Sequence, residues 1–191
     1  MARYLTIKRI NSIAWKVLLA AGVANPPVNP YQVADHLNIE IKEKDLGDIS
    51  GLLVINNGKA TIGLNNLETN NEVRRRFTIA HEIGHFVLGH VKEGREMFVD
   101  QANRQFSLFM RNEESTKGTN PQEIQANAFA AALLMPEPFV RAELDKMIVA
   151  GAVSDLSGNS EEFIKELAKS FGVSSMAMTY RLGNLQLFET M

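Results

Sequence analysis

The chain has 191 residues, 45% of them apolar, with a formal charge of −2 and no cysteine. This length supports one substantial hydrophobic core. The near-neutral net charge is not typical of a nucleic-acid-binding protein. The lack of cysteine excludes disulfides and thiolate metal sites, so a transition metal would have to use His, Asp or Glu.

The first part of the chain alternates between helical and strand patterns. The Asn57-Gly58 pair between two apolar runs is a strong hairpin signal, because both residues accept the positive φ angles of a tight turn. Asn29-Pro30 favours a helix start. The patterns predict helices over residues 10–21 and 30–37, an edge strand at 39–41 and a hairpin pairing 51–55 with 59–64.

The second part is mainly helical. Residues 121–135 are apolar nearly all round, which predicts a buried helix that Pro136 ends or kinks. The patterns predict helices over 71–90, 121–135, 137–147, 161–171 and 174–182, short strands at 97–100 and 106–111, and polar loops at 112–120 and 151–160.

No stretch predicts a membrane span. The longest apolar run in the body of the chain, 128–135, is far below the roughly 20 residues that cross a bilayer. Residues 13–24 could be misread as a signal peptide, but Lys16 interrupts them. We therefore expect a soluble cytoplasmic protein.

Two histidines lie four residues apart within the predicted helix 71–90. His81 and His85 fall on one helix face, where both imidazoles can bind one zinc ion. Glu82 projects about 100° away from His81, close enough to act as a general base without being a ligand. This HExxH pattern is typical of zinc metallopeptidases.

The third zinc ligand is less certain from the residues. His90 lies five positions after His85, which does not fit the metzincin spacing, and we set it aside. Glu123 begins a buried helix, where a carboxylate is costly unless it is paired or bound to metal. The stretch from Asn120 to Glu123 also fits a capping box, so spacing leaves both interpretations open.

Two segments resemble the ImmA/IrrE family of bacterial and phage metallopeptidases. They are residues 76–85, RFTIAHEIGH, and residues 123–136, EIQANAFAAALLMP, with weaker similarity from about 29 to 187. The resemblance implies that His81, His85 and Glu123 bind Zn²⁺ and that Glu82 is catalytic. Asn127, one turn after Glu123, is expected to support the site or to pack.

The resemblance and the patterns together predict an α+β fold. We expect a small, mostly antiparallel sheet packed on helices, with thermolysin-like zinc helices in a core over residues 1–150. A C-terminal helical extension at 151–191 resembles a helix-turn-helix. Tyr180 and His90 are both conceivable partners for a reaction oxyanion, and nothing in their spacing selects either.

Three other features bear on function. The second helix of the extension offers only Arg181 for reading bases, so we expect no specific DNA contact. The run Arg74-Arg75-Arg76 is expected to lie on a solvated helix turn. Residues 91–120 are expected to form a cleft wall where a substrate strand could add.

The resemblance implies a substrate as well as a reaction. We expect hydrolysis of a peptide bond in a helix-turn-helix repressor or an antitoxin of a phage, mobile element or stress regulon. The alternatives are a non-catalytic protein that binds a repressor or DNA, and the toxin half of a toxin–antitoxin pair. Glu82 discriminates, since a purely structural zinc site has no use for a carboxylate beside the metal.

Overall fold

A computed structural model describes residues 5–66, 71–91, 100–101, 120–149 and 161–187. The elements of these residues confirm the predicted α+β class. In chain order they are α1 (Ile7–Ala20), α2 (Pro30–His36), β1 (Ile39–Lys44), β2 (Ile49–Asn56), β3 (Lys59–Asn65), α3 (Glu72–Val87), β4 (Asp100–Gln101), α4 (Pro121–Leu134), α5 (Glu137–Val149), α6 (Glu161–Phe171) and α7 (Ser175–Asn184).

The sheet is small and mixed. Its strand order is β1-β3-β2-β4, so β1 lies at an edge, as predicted. The β2 strand is antiparallel to β3 and to β4, whereas β1 runs parallel to β3. The sheet is therefore mostly but not purely antiparallel, because β3 inserts between the two strands that precede it.

The hairpin between β2 and β3 forms where the sequence predicts it. Asn57 has a φ of 50° and Gly58 a φ of 72°, the positive pair that a two-residue type I′ turn requires. Asn56 then pairs with Lys59, which fixes the register of the two strands.

Most helix starts are capped by a polar side chain. The Asn120 side chain accepts the main-chain N–H of Gln122, with Pro121 in the first turn. The same arrangement of an Asn, Ser or Thr cap begins four other helices, at Thr6, Asn29, Asn71 and Ser174. These caps place the helix boundaries within a few residues of those predicted.

Helices α3 and α4 form the centre of the core. Gly84 makes this contact possible, because a Cβ there would lie 3.1 Å from the Ala126 carbonyl and 3.2 Å from Phe129 Cβ. Helix α4 is buried along most of its length, as its apolar sequence predicts, and α1 packs on another side of it. No helix of the described ranges is long and apolar enough to span a membrane.

The prediction that the arginine run is solvated is wrong. Arg75 is only 8% exposed and bonds both Glu43 and Tyr31, which raises the pKa of its guanidinium. Arg74 donates to Ser50 Oγ at 3.1 Å. Consecutive helical residues point about 100° apart, so these side chains reach different neighbours that the charge run could not reveal.

The last arginine of the run joins α3 to the C-terminal helices. Arg76 donates to the carbonyls of Val28 at 2.8 Å and of Gly172 and Phe171 at 3.1 Å. Burial lowers the pKa of its guanidinium. Gly172 has a φ of 62° and ends α6 against this side chain.

Arg181 is buried rather than presented for reading bases. It is 2% exposed, and its Nε donates to the Met135 carbonyl at 2.9 Å while Nη1 donates to Asn11 Oδ1 at 3.1 Å. Burial lowers the pKa of Arg181 to about 10. The helix-turn-helix rhythm of α6 and α7 therefore forms a hairpin that uses this arginine internally.

Several predictions fall outside the described residues. These are the strand at 106–111, most of the polar loop at 112–120, the loop at 151–160 and most of the cleft wall at 91–120. Of the strand predicted at 97–100, only Asp100 is described, as part of β4. The division into 1–150 and 151–191 stays a prediction.

Candidate metal centre

The two histidines of α3 face each other inside the protein. His81 and His85 are 1% and 0% exposed, and their Nε2 atoms lie 3.0 Å apart. One helical turn separates them, so both rings leave the helix on the face that meets α4. The close contact at Gly84, between them in sequence, brings α4 near enough to complete a site.

Helix α4 supplies a carboxylate from its first turn. Glu123 Oε2 lies 3.2 Å from His81 Nε2, and Oε1 lies 3.4 Å from His85 Nε2. Among the described residues, these three side chains bring possible metal-ligand atoms within 4.8 Å of one another. The capping-box interpretation of Glu123 is wrong, because its carboxylate faces the imidazoles.

The electrostatics keep these groups ready to bind a cation at neutral pH. Burial alone would raise the pKa of Glu123, but hydrogen bonds with His81 and His85 lower it to about 2. Burial lowers the pKa of His85 to about 4, against the opposing effect of Glu123. At neutral pH the carboxylate is ionised and His85 keeps a lone pair available for a metal.

The other ring nitrogen of each histidine is also engaged. His81 Nδ1 lies 2.8 Å from Asn127 Oδ1, an atom that can only accept a hydrogen bond. His85 Nδ1 lies 3.2 Å from His90 Nδ1. With Nδ1 of each ring turned outward, both Nε2 atoms point to the centre of the site.

Glu82 lies beside this group and outside it. Its side chain is fully buried, and a Cβ on Gly51 of β2 would lie 3.7 Å from Glu82 Oε1. The same Cβ would collide with Thr78 Cγ2, so β2 approaches α3 this closely only because residue 51 is glycine. The Glu82 carboxylate therefore lies between α3 and the sheet.

The donor set fits zinc. Two neutral imidazoles and one carboxylate are a common set of three protein ligands for a catalytic zinc, which leaves a fourth position open. Two nitrogen lone pairs directed at each other across 3.0 Å repel unless a cation or a proton lies between them. Burial of the three groups with their partners agrees with such a centre.

The two residues considered for the oxyanion lie in different places. His90 lies behind His85, and Tyr180 lines a cavity of about 90 Å³ between α1, α4 and α7. Asn127 lines the same cavity, so the cavity adjoins the turn of α4 from which Asn127 contacts His81. Neither position selects an oxyanion partner.

The sequence interpretation missed the His90–His85 contact, although Gly89 before His90 signals a chain that turns back at the helix end.

Comparisons with known proteins agree with this geometry. Residues 34–183 match the family model of the IrrE N-terminal-like domain of peptidase family M78. A solved structure described as a Mycobacterium tuberculosis transcriptional regulator shares the fold over 93% of this chain, with a TM-score of 0.55 and 17% identity. The chain spans 47% of that structure's length. Curated proteins give no match.

Proposed function

The chain belongs to the IrrE N-terminal-like domain family of the M78 peptidases, and from this membership and the site geometry we propose that it is a zinc-dependent metallopeptidase. The observation that carries the proposal is the convergence of His81, His85 and Glu123 within 4.8 Å, with the buried Glu82 next to His81 in sequence. A structural zinc site is normally closed by four protein ligands, whereas a catalytic one keeps a position open.

The roles of the residues follow from their positions. Zinc bound by His81, His85 and Glu123 would polarise a peptide carbonyl and make water acidic enough to attack at neutral pH. The Glu82 carboxylate takes a proton from the attacking water and delivers it to the leaving amine. Its place under β2 keeps bulk water away, which strengthens its interaction with the reacting groups.

We propose that the substrate is a protein, in the cytoplasm: a helix-turn-helix repressor or an antitoxin. The proposal rests on the family membership and on the resemblance of the two ligand segments. Cleavage would relieve repression of phage, mobile-element or stress genes. The solved structure with a similar fold is that of a transcriptional regulator, which agrees with a regulatory setting.

We propose no specific contact with duplex DNA. The only arginine of α7 is Arg181, and it is buried on Met135 and Asn11. The net charge of −2 gives no general attraction to phosphates. Anisotropy titration with operator DNA at physiological salt should show no sequence-dependent binding, and submicromolar specific binding would support the non-catalytic alternative.

The direct test of the enzyme uses Glu82→Gln. This substitution is nearly isosteric and leaves all three ligands in place, so the variant should bind zinc as wild type does. Its loss of the proton acceptor should lower the rate of partner cleavage by about 10²- to 10⁴-fold. The assay compares both proteins at matched zinc occupancy, with derepression of the target promoter in cells as a second readout.

The matched control is Glu72→Gln, an exposed glutamate in the first turn of the same helix, which should cleave at the wild-type rate. If Glu82→Gln relieves repression as fully as wild type does, the protein works by binding and the peptidase proposal fails. Toxicity of the wild-type chain alone, relieved by a partner and unaffected by Glu82→Gln, would favour the toxin alternative.

A further inference from the structure

Helix α3 ends in a turn that folds the chain back on the metal centre. Gly89 has a φ of 69°, and its N–H donates to the Phe86 carbonyl at 3.1 Å. The His90 N–H donates to the His85 carbonyl at 2.9 Å. This pair of bonds defines a Schellman motif, in which Gly89 is the left-handed residue.

A Schellman motif usually brings two apolar side chains together, one before and one after the glycine. Here those two positions are His85 and His90. Their rings meet edge to face with centroids 5.1 Å apart, and the two Nδ1 atoms are 3.2 Å apart. The helix end thus places a second imidazole behind a metal-ligand imidazole, at a spacing that excludes it from the ligand set itself.

The chemistry of His85 determines what His90 has to do. A neutral His85 that offers Nε2 to a metal carries its proton on Nδ1, so that nitrogen is a donor. His90 Nδ1 must then accept the hydrogen bond, with its own proton on Nε2. A hydrogen bond with the side chain of Gln125 also holds the His90 ring, and Gln125 is 4% exposed on α4.

We propose that His90 is a positioning residue of the metal centre, which fixes the tautomer and orientation of His85 as Asn127 does for His81. Partners of this kind raise the basicity of a ligand imidazole and hold its ring in place. Helix α4 then supports both histidines, with Asn127 behind His81 and with Gln125 through His90. The inference rests on the metal centre of the proposed function but not on peptide hydrolysis.

Zinc affinity, measured by competition with a chelator, tests this role with two variants, one that removes the acceptor and one that keeps an acceptor at the same position. His90→Phe keeps a ring but removes the acceptor, and it should weaken zinc binding about 10- to 100-fold. His90→Asn can place an amide oxygen where Nδ1 was, the group that serves His81, and should recover affinity to within about threefold of wild type. In the cobalt-loaded proteins, the absorption bands of His90→Phe should shift while those of His90→Asn match wild type.

The tautomers of the wild-type protein give a second test that needs no variant. Nitrogen-15 NMR of the zinc-loaded chain should show His85 protonated on Nδ1 and His90 protonated on Nε2. A proton on His90 Nδ1 would overturn the inference, as would wild-type zinc affinity in folded His90→Phe. A wild-type chain that binds no zinc would overturn the metal centre as well, whereas normal zinc binding without peptide cleavage would overturn only the proposed function.

Discussion

The α3–α4 pair and the α6–α7 hairpin both bury polar side chains, but in different arrangements. At the hairpin, Arg181 of α7 and Arg76 of the neighbouring α3 donate mainly to main-chain carbonyls near helix ends. In the α3–α4 pair, the polar side chains of His81, His85 and Glu123 face one another. Buried charged side chains that bond main-chain carbonyls hold secondary-structure elements together. Buried side chains that face one another form a site where a ligand can bind.

A glycine lies at each of these two contacts, but the two glycines face different kinds of atoms. Gly84 lies against the main chain of α4, which cannot move aside, while Gly172 lies against the side chain of Arg76. The metal centre thus depends on a fixed distance between two helices. The contact at the hairpin depends instead on the side chain of Arg76, which is flexible enough to reach its partners.

The first prediction concerns zinc affinity, which should depend on the α3–α4 pair and not on the α6–α7 hairpin. Glu123→Ala removes one of three ligands and should weaken zinc binding by more than about 100-fold, since even a lost hydrogen-bond partner behind a ligand costs roughly 10- to 100-fold. His81→Ala and His85→Ala should do the same. Arg181→Met, equally buried but in the hairpin, should bind zinc as wild type does.

Zinc content after dialysis against a chelator decides this prediction. Full zinc in Glu123→Ala, together with loss of zinc on a change at Asp100, Glu113 or Glu114, would place the third ligand in that segment instead.

A second prediction uses the pH dependence of the metal-free protein. The pKa of His85 is lowered from 6.5 to about 4 in the folded chain, so between these pH values the unfolded chain binds the extra proton. The free energy of unfolding should therefore fall by roughly 3 kcal/mol as pH decreases through this window. The pKa of Glu123 is lowered from 4.5 to about 2, so protonation of the unfolded carboxyl reduces stability further below pH 4.5.

Denaturant titrations between pH 7 and pH 4 measure this slope, with His85→Gln as the control that should lack the contribution of His85. An equal slope in His85→Gln would contradict the contribution assigned to His85. Arg181 of the hairpin, with a pKa of about 10, stays charged over this range and contributes nothing to the slope.

The sequence predicted the elements and the grouping of His81, His85 and Glu123 better than the contacts of the arginines. Helical period, caps and the Asn57-Gly58 turn are local, so the helix and hairpin predictions needed no knowledge of the fold. His81 and His85 are neighbours on one helix, so their pairing was also local. The spacing of Glu123 fitted two roles and only the resemblance chose between them, because its approach to α3 depends on how two helices pack.

Local patterns could not predict the contacts of Arg75, Arg76 and Arg181. Their hydrogen-bond partners lie 32 to 96 residues away for the first two and 46 or 170 residues away for the third. A run of charge on a helix is more often solvated, and no sequence period reveals a carbonyl at the far end of another helix. The contact of His90 with His85 was missed because the spacing of His90 was considered only for the roles of metal ligand and oxyanion partner.

A third prediction concerns the hairpin alone. Arg181→Met removes the donor to the Met135 carbonyl, and Met135 is 1% exposed. An unsatisfied buried carbonyl should lower the free energy of unfolding by about 2 kcal/mol. Thermal unfolding of the metal-free proteins measures this loss, and a variant as stable as wild type would contradict the role given to Arg181.

The smallest expected effect on stability belongs to Gly84→Ala. Its Cβ would lie 3.1 Å from the Ala126 carbonyl, so α3 and α4 must separate by a few tenths of an ångström, at a cost of about 1 kcal/mol. The same separation moves Glu123 from the histidines, so zinc affinity should fall. Gly183→Ala, where a Cβ would meet nothing within 4 Å, is the matched control on α7.

We propose that α3 and α4 build an open zinc site with three protein ligands beside Glu82. X-ray absorption at the zinc edge of the loaded wild-type chain tests it most directly. We expect two imidazole nitrogens and oxygen donors at about 2.0–2.2 Å, one oxygen from Glu123 and one from solvent. A third imidazole, or a site closed by four protein ligands, would show that the zinc site is not the open one proposed here.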